Sequence, residues 1–107
     1  MEIVIRNSSD KPIYEQISSQ IRDDILTGAL APGEALPSIR SLAASLRISA
    51  ITTKRAYSDL EAQGYIETVP GKGCFVSASN LELLREDRLL HVEASLARVI
   101  ADARIAG

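Results

Sequence analysis

Two helical hydrophobic periods stand almost end to end in the middle of this sequence, and their closeness constrains the fold more than any other feature. The first places Ile39, Leu42, Ala43 and Leu46 at i, i+3, i+4 and i+7, and the second repeats that spacing with Thr53, Ala56, Tyr57 and Leu60. Ser38 and Ser49 stand where each helix needs a capping oxygen, and Gly64 follows the second period as its cap. Only about three residues, near Arg47 to Ser49, are left to join the two helices. A linker that short forces the axes to cross at once, which is the plan of a helix-turn-helix.

The period then changes. Tyr65 to Val69 is rich in strand formers, Pro70-Gly71-Lys72-Gly73 reads as a turn, and Cys74-Phe75-Val76 reads as a second short strand. Two strands alone are marginal, so the hairpin is expected to pack on the helices. Upstream, Ile13, Ile17, Ile21 and Ile25 mark a helix over about residues 12 to 27, with Pro12 as its first residue and Gly28 suited to a left-handed cap. Ile3 to Ile5 is a β-branched run expected to form a strand, and Pro32-Gly33 signals a turn. Ser77 to Asn80 is a polar joint, after which a last helix begins at Leu81. Its apolar positions Leu89, Val92, Leu96, Val99 and Ala103 step by 3, 4, 3, 4, a seam of period 3.5 that either folds back on its own domain or pairs with a second copy. A seam this narrow favours pairing. The expectation is a mainly α fold with a small β-hairpin. It comprises a winged helix-turn-helix over 1–77 and a C-terminal helical dimerisation segment over 78–107.

Composition removes most catalytic classes. One cysteine, Cys74, excludes an internal disulfide and a cysteine-based zinc site, and one histidine, His91, leaves little for a nucleophilic triad. No carboxylate pair, metal-ligand cluster or phosphate loop stands at useful spacing, so no enzyme activity, metal or cofactor is expected. No apolar run approaches the roughly 18 residues of a membrane span, and the N-terminus lacks a signal-peptide pattern, so the cytoplasm is the default compartment. The formal net charge of −2 speaks against a nucleic-acid binder, but it is unevenly spread. From Ser38 to Val76, Arg40, Arg47, Lys54, Arg55 and Lys72 face only Asp59, Glu61 and Glu67, whereas both flanks are net acidic. An anionic partner is expected to meet the middle third.

The helix arrangement says how. A helix fits the major groove of B-DNA and reads bases through its first turn and a half, while the preceding helix braces on phosphates. Ser49, Ala50, Ile51, Thr52 and Lys54 occupy that stretch, with Arg55 beside them. Thr52 and Lys54 offer polar contacts, and Ala50 and Ile51 suit a thymine methyl. Arg40, in the first turn of the preceding helix, is placed for a phosphate or a groove edge, and Gly71-Lys72-Gly73 makes a slim positive tip for a minor groove. Bland roles compete: Arg40 pairing with Glu34, Lys54 and Arg55 as a solvated face, Lys72 as a plain turn. Tyr57 and Cys74 are read as packed residues, and His91 as a surface residue of the last helix.

From Pro12 to Val76 the chain resembles the DNA-binding domain of the GntR family of bacterial transcription regulators. The resemblance rests on Pro12-Ile13-Tyr14-Glu15-Gln16-Ile17, on the unbroken run from Leu26-Thr27-Gly28 through Pro32-Gly33-Glu34 and Leu36-Pro37-Ser38-Ile39-Arg40 to Leu42-Ala43, and on Ile48-Ser49, Thr52, Ala56-Tyr57, Leu60-Glu61, Gly64-Tyr65-Ile66 and Gly71-Lys72-Gly73-Cys74-Phe75-Val76. It implies DNA contacts from Arg40, from the start of the recognition helix and from the wing tip. Many members carry arginine where this chain has Ala50, so no guanine contact is implied there, and glycine where it has Arg47, whose added charge in the turn implies a further phosphate contact. The short tail after Val76, ending at Gly107, resembles the YtrA subfamily, whose members use a helical dimerisation appendage and commonly repress small transporter operons. Double-stranded operator DNA and a second copy are thus the implied partners. Any small-molecule effector would act at the dimer interface or between wing and tail. Two rivals stand beside this reading: a winged helix that binds protein, separable by a gel shift, and the N-terminal piece of a longer regulator, separable by the reading frame beyond Gly107.

Overall fold

The computed structural model describes residues 1–79 and 81–106; Asn80, expected in the joint before the last helix, and the terminal Gly107 lie outside the described residues. Helix α1 (Ile13–Thr27) leads to α2 (Ile39–Leu46) and α3 (Ala50–Ala62), then to the antiparallel strands β1 (Ile66–Val69) and β2 (Gly73–Val76), and finally to α4 (Leu81–Ala106). This is a winged helix-turn-helix followed by a long C-terminal helix.

The predicted stripes form the core. Ile17, Ile21 and Ile25 of α1 meet Leu42 of α2, Ala56, Tyr57 and Leu60 of α3, and Ile66 and Val76 of the hairpin. A fully buried aliphatic side chain contributes about 1.5–3 kcal/mol. Truncating any of Ile17, Ile21 or Leu60 would therefore unsettle a domain this small. Buried polar groups are satisfied locally: Thr53 is fully buried and its hydroxyl donates to the Ser49 carbonyl at 3.2 Å. Burial raises the Tyr57 phenol above its ordinary pKa, with Cys74 adding to the effect, and the hydroxyl donates to the Pro37 carbonyl at 2.7 Å.

The helix ends follow the caps. The Ser38 hydroxyl accepts from Ser41 N–H and the Ser49 hydroxyl from Ile51 N–H, both at 3.0 Å. Pro12 is the cap of α1 rather than its first residue, with ψ 154°. The helix ending at Ala62 closes through Gly64, whose φ is +85°, with Tyr65 N–H donating to the Leu60 carbonyl. The helix-turn-helix joint uses the same geometry without a glycine. Arg47 sits at φ 57° and ψ 46°, and Ile48 N–H donates to the Ala43 carbonyl at 3.0 Å. Arg47 is the single non-glycine residue with positive φ among the described residues.

Two local expectations change. Ile3 to Ile5 is not a strand and pairs with none. The Gln20 amide instead takes both backbone groups of Val4, at 2.9 and 2.7 Å, and Gln16 does the same for Arg6, at 2.8 and 3.1 Å. The hairpin is also better supported than a free pair of strands. Leu36 N–H donates to the Cys74 carbonyl and Val76 N–H to the Glu34 carbonyl, both at 2.9 Å, so the segment around Ala35 forms a short third rung beside Phe75.

The last helix leaves the domain. Leu81 and Leu84 pack on the core and Arg85 Nε donates to the Leu26 carbonyl at 3.3 Å, but no residue of α4 is buried. The exposed area is 7329 Å². A compact chain of this mass exposes roughly 5,800 Å². The radius of gyration, 16.0 Å, likewise exceeds the roughly 13 Å of a compact chain of this length. Of the two readings of the seam, folding back on its own domain is excluded: Leu89, Val92, Leu96 and Val99 are 53–63% exposed. The apolar surface is also broader than the seam, since Leu83, Leu90, Ile100 and Ile105 are exposed too.

Candidate nucleic-acid interface

The first turn and a half of α3 presents the residues picked out from the sequence. Thr53, Ala56, Tyr57 and Leu60 face the core, which turns Ala50, Ile51, Lys54 and Arg55 to solvent. Ile51 is 81% exposed, a large apolar side chain at a helix tip with nothing covering it. Thr52 is half-buried. Ser49 is occupied on its acceptor side by the cap to Ile51 N–H, which leaves its O–H free to donate. The open N–H groups of the first turn add a partial positive charge there.

The basic residues differ in what they touch. Arg40, Arg47, Lys54 and Lys72 are exposed, and among the described residues none of them lies within ion-pair distance of a carboxylate. Arg40 is not held by Glu34, whose Oε1 accepts from Ala31 N–H in the turn before α2 at 3.4 Å. Arg55 is engaged. Its guanidinium lies 3.7 Å from the centre of the Tyr14 ring and donates to the Tyr14 hydroxyl at 3.1 Å. This contact between α1 and α3 spans 41 positions and leaves no trace in local sequence pattern.

The wing is anchored to the recognition helix. Thr68 Oγ1 donates to Glu61 Oε2 at 2.7 Å, tying β1 to the end of α3. The register pairs Val69 with Gly73, so Pro70, Gly71 and Lys72 make the tip, closed by Lys72 N–H to the Val69 carbonyl at 2.9 Å. Gly71 and Gly73 have φ of +76° and +116° with open space around them. The tip therefore needs these glycines for its backbone turn, and it stays slim. Cys74 is half-buried against Thr68, as a packed residue. Among the described residues no group of histidines, cysteines and carboxylates is placed to hold a metal ion, and no helix is long and apolar enough to cross a membrane.

The arrangement has clear relatives. Over 105 residues, 98% of this chain and 81% of the relative, the sequence is 38% identical to the HTH-type transcriptional repressor YtrA of Bacillus subtilis. A transcriptional regulator from Oenococcus oeni superposes with a TM-score of 0.86 at 32% identity, covering 97% of this chain and 86% of the other. The DNA-binding domain of AraR, solved in complex with operator ORX1, superposes with a TM-score of 0.63 at 28% identity over 72% of this chain and 96% of that domain. Residues 13–76, which hold α1, both helices of the motif and the wing, match the bacterial regulatory proteins of the gntR family. The chain is a transcription regulator of the GntR family, in its YtrA subfamily.

Proposed function

We propose that this regulator is a homodimeric repressor that binds a palindromic operator upstream of a small transporter-type operon. The observation that carries the DNA reading is the uncovered N-terminal face of α3, with exposed Ala50, Ile51 and Lys54 and no ion pair on its lysine among the described residues. In this reading residues 1–77 bind DNA and residues 78–107 dimerise. Ala50, Ile51, Thr52 and Lys54 read base edges in the major groove. Arg40, Arg47 and the Ser49 hydroxyl take phosphates. Gly71, Lys72 and Gly73 enter the adjacent minor groove. Arg55 has the weaker claim, since reaching a phosphate would cost it the Tyr14 contact, worth about 0.5–1 kcal/mol at an exposed site. The names of the relatives support the reading: YtrA is a repressor, and the AraR domain was solved on an operator.

The dimer rests on α4. The exposed area exceeds that of a compact chain by about 1,500 Å², and a standard interface covers about 800 Å² per partner. Pairing through Leu89, Val92, Leu96, Val99 and Ala103 would remove the most apolar part of that excess and set two recognition helices against two half-sites. The protein acts in the cytoplasm by binding, with no catalytic step. The test is a gel shift at low ionic strength with the promoter upstream of its own gene, beside a scrambled duplex, with sedimentation of the free protein. A shift selective for the promoter, from a species of twice the chain mass, is expected. Equal affinity for both duplexes would overturn the operator reading, and a monomer at micromolar concentration would overturn the dimer.

A further inference from the structure

A cleft of about 390 Å³ opens where α4 leaves the domain, in the range that holds small molecules. Arg22 of α1 and Arg88 of α4 line it from opposite elements, with Gln63 and Tyr65 between them and Asp87 and His91 along α4. The donors here lack acceptors. Arg22 Nε is buried with no hydrogen-bond partner among the described residues. An unmet buried donor of this kind is costly, about 1–3 kcal/mol and more for a charged group. Neither arginine lies within ion-pair distance of a carboxylate among the described residues. Asp87 is turned toward His91, whose Nδ1 lies 3.5 Å from Asp87 Oδ2 and 2.8 Å from the Asp87 carbonyl oxygen. The field of both arginines reaches the Tyr65 phenol: burial raises it, Arg22 and Arg88 draw it back, and Asp87 and Asp23 push it up.

We infer that this cleft is a binding site for a small polyanion, a metabolite bearing phosphate or clustered carboxylates, which bridges Arg22 to Arg88 and so fixes the direction in which α4 leaves the domain. The terminal amines of two guanidiniums on opposite walls of a cleft are suited to forked bonds with the oxygens of such a group. The site is separate from the DNA face, since α3 runs for 13 residues from its base-reading end to the cleft, about 20 Å at 1.5 Å per residue. Its place is apt for regulation. Leu84 and Arg85 fasten the first turns of α4 to the domain, Arg88 and His91 are the last α4 residues to line the cleft, and the seam begins at Leu89. A ligand there would set the angle between winged helix and dimer helix, and with it the separation of the two recognition helices. This regulatory role rests on the operator reading; the binding itself does not.

The test is calorimetric titration of the full chain with inorganic phosphate, pyrophosphate and citrate at constant ionic strength in chloride, without DNA. Saturable binding at one site per chain is expected for at least one of them. Preference for pyrophosphate over citrate would assign the phosphate class, and the reverse the carboxylate class. Arg22→Gln and Arg88→Gln are each expected to weaken binding at least tenfold, while Arg40→Gln keeps it. Arg88 is exposed, so its variant is expected to fold even if that of Arg22 does not. No saturable binding of any of the three, or undiminished binding by Arg88→Gln, overturns the site. The bound anion is further expected to change promoter affinity at least threefold, an effect lost in Arg88→Gln. Binding with promoter affinity unchanged overturns the regulatory role alone, and a protein that takes the anion but ignores its promoter refutes the operator reading instead.

Discussion

Replacing Arg47 by glycine should make the domain more stable and its DNA complex weaker, the first through a backbone angle and the second through a lost charge. Arg47 closes α2 at φ 57° and ψ 46°, in the left-handed region. A side chain there costs about 1–2 kcal/mol. Arg47→Gly relieves that strain but frees the unfolded chain, which returns about 0.4–1 kcal/mol. The net gain is about 0.5–1 kcal/mol. At about 4–8 °C per kcal/mol for a domain of this size, the melting temperature rises by about 2–8 °C. Arg47→Ala separates the effects, because alanine keeps the left-handed strain and loses the charge. In the proposed dimer on DNA each variant would remove one phosphate contact per subunit, so the slope of log K against log salt should flatten by about 1.8. Thermal melts and binding at several salt concentrations read the two effects apart. If the glycine variant melts no higher than the alanine variant, the backbone argument is wrong; if the salt slope of both stays at the wild-type value, Arg47 touches no phosphate.

Other substitutions probe separate links. Thr52→Ala should change the preference among operator sequences, whereas Lys72→Ala should weaken all duplexes alike and flatten the salt slope; equal losses for Thr52→Ala on cognate and scrambled DNA would show that it reads no base. Leu96→Asp should weaken self-association at least 100-fold in sedimentation, since burying a leucine from each subunit is worth about 1.5–3 kcal/mol apiece. The circular dichroism of the folded domain should not change, because Leu96 is exposed in the protomer. Tyr57→Phe leaves the Pro37 carbonyl without its 2.7 Å donor, and denaturant melts should show a loss of about 1–3 kcal/mol. Burial raises the Tyr57 and Tyr65 phenols, so the folded state holds those protons longer than the unfolded chain does. Stability should be full below about pH 10, the unfolded value, and fall as pH rises above it. An alkaline melt whose midpoint is the same at pH 9 and pH 11 would contradict this.

What could be read from the sequence was local. The stripes Ile39–Leu46 and Thr53–Leu60, the caps Ser38 and Ser49 and the turn at Gly71 each fit within one or two turns of chain, where period and capping chemistry decide the outcome. The exposed tip of α3 follows from the same arithmetic, because fixing the buried face fixes its complement. What could not be read was pairing across distance. Ile3 to Ile5 has strand composition, but a strand needs an edge; the amides of Gln16 and Gln20 supply the partners instead, and neither glutamine announces that role. The rung between Ala35 and Phe75, the stacking of Arg55 on Tyr14, and the convergence of Arg22 with Arg88 all join residues 40 or more positions apart. The left-handed angle of Arg47 could not be read from the sequence either, where arginine carries no signal of a positive φ.

A hydroxyl-radical footprint of the protein on its own upstream promoter at low ionic strength measures the groove-borne recognition helix and its twofold pairing in one experiment. Two protected patches, related by a dyad and centred about 10 base pairs apart, are the predicted pattern. A single unpaired patch, or an unprotected promoter, would contradict the account.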